Sequence, residues 1–197
     1  MLRFTSAAAH ACAVIALLFA LPAAANSRVT GRAAASLRVP DSIAVTQPLG
    51  IPPAGVSELK FQDVFKLPIG PKGLEPTDRF LGLDGKRVRI VGYMVKQDSS
   101  TQDGFLFSPL PVLLGDEDES LADDLPPSTL RIELPIAHGL PIHFVAGLLQ
   151  LTGVLHVGMY ADAESGRATP ARLTLDARPA RAITHLARAQ LATHAPR

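Results

Sequence analysis

The side chains with most chemistry to offer are three histidines and a run of carboxylates. His138, His143 and His156 share one stretch, and neutral imidazole is the commonest protein ligand for zinc and copper. The segment LGDEDESLADDLPP supplies Asp116, Glu117, Asp118, Glu119, Asp123 and Asp124, hard oxygen donors of the kind calcium accepts. Neither set has a ligand spacing. His138 and His143 are five residues apart, which does not place them on one helical face, and Gly139 and Pro141 interrupt them. The acidic run has no glycine at the turn position of a calcium loop and no glutamate closing it at the twelfth position from Asp116. The expectation is therefore surface or hydrogen-bonded histidines and a solvated acidic loop, with no metal and no cofactor. Metal handling for zinc, copper or calcium by His138, His143, His156, Asp116 and Asp118 stands as the alternative.

Catalytic patterns are not found. The chain has no G-x-S-x-G elbow, no phosphate-binding glycine loop and no H-E-x-x-H helix. With no tryptophan and two tyrosines it is poorly supplied with stacking platforms for sugars or single-stranded nucleic acid. An enzyme is not expected, and no catalytic residue is assigned.

Arg3, an apolar run from Ala11 to Leu21, Pro22 and the small residues Ala23 to Ala25 follow the order of a secretory signal peptide. The run is about half the roughly 20 residues of a membrane span, so cleavage after Ala25 is expected rather than a retained anchor. Cleavage removes 25 of 197 residues and leaves 172, without Cys12, the single cysteine. No disulfide, thiolate metal site or cysteine nucleophile can then exist, and stability must come from a core. Arg3 leaves too, so 18 basic residues balance 18 acidic ones. That neutrality argues against a nucleic-acid partner, which would draw a basic excess.

These residues need elements to hold them. Residues 26–55 are rich in Ala, Ser, Pro and Gly and are expected to be a flexible leader. KLPIGPKGLEPTDRF, with three prolines and two glycines, holds at most one helical turn, capped by Thr77 or Asp78 and running through Leu81. From Lys86 the chain alternates with period two. LDGKRVRIVGYMVKQ predicts a long first strand, with Val88 and Ile90 inward, Arg87 and Arg89 outward, and the buried parity switching at Gly92 to Tyr93 and Val95. GFLFS is a second strand, and TLRIELP a third with Leu130, Ile132 and Leu134 inward. LLQLTGVLHVGMY is a long fourth with a central Gly153, and ARLTLD a fifth with Leu173 and Leu175 inward.

A short helix fits after Pro141, between the third and fourth strands. Five strands in this order, with the first bent at a glycine, predict a mainly β domain over 56–177. Its expected form is a small five-stranded OB-like Greek-key barrel. Residues 178–197 carry Arg178, Arg181, Arg188 and Arg197 and no acidic residue, and predict a basic C-terminal helix from about Arg181 to Thr193, docked or frayed.

LDGKRVRIVGYMV, FLFSPLP and LTGVLHVG, within Phe61 to Asp176, resemble exported bacterial proteins of unknown function with an OB-like domain. Members of that family follow the second of these strands with a Cys-x-His segment before a proline run. Here Pro126 and Pro127 persist but the Cys and His do not, so the resemblance carries no metal-linked role to this chain. GPKGLEP and ADDLPP look like features of a separate, uncharacterised proteobacterial subgroup. The expected function is a periplasmic, non-enzymatic binding or accessory module acting on a protein or small ligand, with no stable membrane span after cleavage.

Overall fold

The computed structural model describes residues 39–97, 101–114, 125–135, 141–161 and 167–194. The segment expected to be a signal peptide, residues 26–38 of the leader, the acidic run with Asp116 and Asp118, and His138 lie outside the described residues. In chain order the elements are β1 (Ser57–Glu58), a 3-10 turn (Phe61–Asp63), α1 (Asp78–Leu81), β2 (Arg87–Met94), β3 (Thr101–Gln102), β4 (Gly104–Ser108), β5 (Leu130–Glu133), β6 (Pro141–Ile142), β7 (Leu148–Ala161), β8 (Ala168–Leu175) and α2 (Ala177–His194).

The protein is mainly β, with one six-stranded mixed sheet and few helices. Alternation places the core. Leu130 and Ile132 of β5, Leu149, Leu151 and Leu155 of β7, and Leu173 and Leu175 of β8 are buried, while Thr152, His156, Arg172 and Thr174 between them are half-buried. Antiparallel pairs join β2 to β4, β4 to β5, and β7 to β8, and β5 and β8 run parallel. β2 also pairs along almost its full length with the first half of β7, so these five pairings return to where they began.

The five long strands lie where period-two patterning predicts them, but the strand count differs. β1, β3 and β6 are two residues each, too short to leave a period in the sequence. β1 joins β2 in parallel as the sixth strand, and β3 and β6 form a separate pair. No helix follows Pro141 among the described residues. Pro141 instead opens β6 opposite Gln102, an edge position where its missing N–H costs no ladder bond.

The parity switch expected at Gly92 does not occur within β2, although Val95, just beyond the strand, is buried as expected. The register of β2 against β7 runs unbroken from Arg87 opposite Val154 to Tyr93 opposite Leu148, with Gly92 opposite Leu149. Positions 88, 90, 92 and 94 are all buried, and Tyr93 is only half-buried. Gly92 is a close approach rather than a bend. A Cβ there would stand 2.6 Å from the Ser108 carbonyl oxygen and 2.7 Å from Cε2 of Phe61. β4 reaches the edge of β2 at this point, with Tyr93 opposite Ser108. The shift of register lies instead between β7 and β8, between Val157 and Tyr160.

Arg89 does not face water either, with only 5% of its surface exposed. Its Nη2 donates to Glu58 Oε2 at 3.0 Å and to the Gly50 carbonyl at 2.8 Å. β1 and the chain before it cover the face that alternation alone leaves open. Within the described part of the leader, residues 43–45 are likewise packed, while residues 46–51 are exposed. Ile43 is 1% exposed and belongs to the core, Gln150 N–H donates to the Ile43 carbonyl at 2.7 Å, and Val45 N–H donates to that of Leu148 at 3.0 Å. β2 and β7 thus each have one edge shared by two neighbours: β1 then β4 on β2, and residues 43–45 then β8 on β7.

The two helices follow their end signals. Thr77 caps α1, its Oγ1 accepting from Phe80 N–H at 3.0 Å, and Phe80 is buried in the core. α2 starts at Ala177, earlier than Arg181, because Pro179 falls in the first turn, where no N–H has an intrahelical partner. Ala180, Ile183, Leu186 and Ala187 recur at helical spacing and are buried in the same core, so α2 is docked.

Candidate functional site

Docking one face of α2 leaves the other to solvent, and that face is basic. Arg178, Arg181, His185 and Arg188 follow one another at intervals of three or four residues, a single stripe, and all four are exposed. Asp and Glu are missing from residue 177 onward, so this end of a nearly neutral chain concentrates positive charge. Among the described residues none of these three arginines is held in an ion pair or hydrogen bond with another side chain. Guanidinium groups keep their charge at physiological pH and present planar donor forks to carboxylates and phosphates.

The stripe borders two open grooves. The larger, about 580 Å³, runs between α2 and the segment Pro40 to Ser42, and is lined by Arg178, Arg181, Ala182, Thr184, His185 and Arg188 with those two residues. Thr184 is 5% exposed, and its Oγ1 finds no hydrogen-bond partner. The second, about 420 Å³, lies on the other side of the helix start and is lined by Pro53, Ala54, Val56, Arg87, Thr152, Asp176 and Ala177 together with Arg178 and Arg181. Arg178 and Arg181 therefore belong to both.

The one carboxylate in these linings, Asp176, is already engaged. Arg87 Nε donates to both of its oxygens, at 3.0 and 2.9 Å. The hydrogen bond and charge of Asp176 hold the Arg87 guanidinium above the ordinary arginine range. Asp176 N–H also donates to the Thr152 carbonyl at 2.9 Å, which anchors the start of α2 to β7. The grooves thus present Arg178, Arg181 and, in the larger one, Arg188 on a helix docked in the core. Such a lining raises the local concentration of anions and holds them by charge-assisted hydrogen bonds.

The residues singled out for metal binding are not gathered here. His143 follows β6 and His156 sits in β7 opposite Arg172, both half-buried. Among the described residues no three His, Cys, Asp or Glu side chains lie close enough together to hold a metal ion. His138, Asp116 and Asp118 lie outside the described residues. Sequence reading found the basic charge of the C-terminal segment but not its groove. The other wall, Pro40 to Ser42, lies at the far end of the chain, and only the basic spacing along α2 was available as a signal.

No helix among the described residues is long and apolar enough to cross a membrane. No family model and no curated protein sequence matches the chain. A crystal structure of a DUF3299 family protein from Pseudomonas aeruginosa PAO1 is similar over 64% of this chain and 94% of its own, at 13% identity and a TM-score of 0.40. At that score the likeness carries no argument about activity.

Proposed function

We propose that the chain is an exported, non-enzymatic binding or accessory module of the periplasm, built on a small OB-like Greek-key barrel, that meets its partner through the face bordered by α2. The barrel reading is supported by the order of pairing. β2, β4 and β5 are successive antiparallel neighbours, β7 returns to lie beside β2, and β8 joins β7 to β5. Three strands in sequence with a fourth beside the first is the Greek-key order, and the fifth closes the ring. Export is supported by Arg3, the apolar run and the Ala23 to Ala25 cleavage pattern.

The observation that carries the binding reading is the stripe of unopposed arginines along a groove of about 580 Å³. Its lining consists of anion-binding and apolar side chains, Asp41 lies between its wall residues Pro40 and Ser42 without lining it, and the carboxylate of the second groove, Asp176, is committed to Arg87. That composition suits recognition rather than proton transfer, for which a base within reach of a nucleophile or substrate proton is needed. A photoreactive side chain placed at Ser42 in the groove wall, and separately at Met159 on β7, tests the reading in intact cells. Adducts from position 42 and not from 159, on a periplasmic protein beginning at Asn26, are expected. Equal adducts from both positions, none from 42, or a protein retained in the cytosol would overturn it.

A further inference from the structure

We infer that the groove between Pro40 to Ser42 and α2 receives an extended acidic segment of a partner protein, its carboxylates seated on Arg181 and Arg188. The inference rests on the binding role proposed above and names the partner's chemistry. The length of the stripe favours a chain over a small anion. Arg178 to Arg188 spans ten residues of helix, about 15 Å, which one phosphate or carboxylate cannot cover. An extended polypeptide advances about 3.3 Å per residue, so side chains on one of its faces recur at about 6.6 Å. Arg178 and Arg181, three residues apart, are about 5–6 Å apart at Cβ, and Arg181 and Arg188, seven residues apart, are about 10.5 Å apart along the helix, between one and two of those repeats, a difference their long side chains take up. Carboxylates on one face of the segment, two or four positions apart as in a run of glutamates, therefore reach Arg178, Arg181 and Arg188.

The shape of the site separates this partner from a lipid surface. The groove is concave, its walls include Pro40 and Ala182, and no large exposed apolar side chain lies on α2 among residues 177–189. A bilayer binding such a helix would draw an apolar face to insert. A polypeptide backbone instead fits along Pro40 and Ala182 while its acidic side chains turn to the arginines, and the hydroxyl of Thr184 stands in the same wall without a partner.

The test uses the full mature chain and a fluorescent oligoglutamate peptide, with inorganic phosphate and phosphatidylglycerol–phosphatidylethanolamine vesicles as the other arms. Saturable, salt-sensitive peptide binding is expected, weakened by about tenfold or more in the double variant Arg181→Glu, Arg188→Glu, a loss of about 1.4 kcal/mol or more. Lys96→Glu alters an exposed lysine away from the groove and should leave binding within about twofold. Thermal melts of each variant establish that it is folded. Equal losses in the Lys96 variant, peptide binding indifferent to the double reversal, or stripe-dependent binding of phosphate or vesicles without the peptide would overturn the inference. If Ser42 still forms adducts in cells while the peptide does not bind, the acidic partner is wrong and the binding role stands. If both fail, the binding role falls as well.

Discussion

Arg87 Nε donates to both carboxylate oxygens of Asp176, joining the first residue of β2 to the residue immediately before α2. The pair fixes where the basic helix leaves the sheet. Arg87→Ala and Asp176→Asn should each lower the melting temperature slightly and speed amide exchange in the first turn of α2. Partner Asp176 raises the Arg87 value, so this contribution is full below the ordinary arginine range and is lost only as pH climbs through the higher folded value. The difference between parent and Arg87→Ala should consequently stay flat from neutral to mildly alkaline pH. A difference that fades across that interval would contradict the assignment.

Gly92 and Gly153 are both central strand glycines, and packing rather than backbone conformation demands them. A Cβ on Gly92 meets the Ser108 carbonyl and the Phe61 ring, and the ring, only partly buried, can move. At Gly153 the nearest atoms all belong to the backbone of Thr174 and Leu175, which cannot move without breaking the pairing of β7 with β8. Gly92→Ala should cost about 1–3 kcal/mol, as overpacking does, and Gly153→Ala more. Denaturant unfolding curves rank the two, and the reverse order would refute the packing account.

Removing Arg89 should cost about 1.5–3 kcal/mol, the range for hydrogen bonds to a charged group. Its guanidinium bridges Glu58 Oε2 and the Gly50 carbonyl from a nearly buried position, so Arg89→Ala releases both the β1 edge and the chain before it. Arg89→Lys should recover only part of the loss, because an ammonium is a compact point charge without the fork that spans two acceptors. Urea titration together with protease sensitivity around Gly50 reads both effects, and a lysine variant as stable as the parent would show that charge alone suffices.

Much of the sheet was legible because burial on one face writes a period of two into the chain. Leu130 with Ile132, and Leu173 with Leu175, are inward in the structure as alternation predicts. What sequence reading missed was set by distant partners. Arg89 reads as solvent-facing until Glu58 and Gly50 are brought over it, and Tyr93 reads as inward only because Met94 and Val95 are apolar on both parities. The basic character of α2 was visible in the missing acids, whereas the groove needed Pro40 and Ser42, placed there by a bridge between Ala44 and Leu149 that no local pattern announces.

That bridge makes the N-terminal segment part of the fold and one wall of the site. Ile43 is 1% exposed, and its carbonyl accepts from Gln150 N–H at 2.7 Å, so the segment contributes both a core side chain and an edge pairing to β7. Ile43→Ala should cost about 2–5 kcal/mol, the range for emptying a buried aliphatic site. Ile43→Val, which keeps most of the volume, should cost about 0.5–1.5 kcal/mol. A chain beginning at Val56 would lose the segment altogether and with it the groove wall at Pro40 and Ser42, so oligoglutamate binding should weaken beyond what the stability loss explains. Unfolding curves for both Ile43 variants and peptide titrations at a temperature where each protein is folded separate the two effects. An Ile43→Ala protein as stable as the parent would mean that residues 39–55 lie on the domain without holding it.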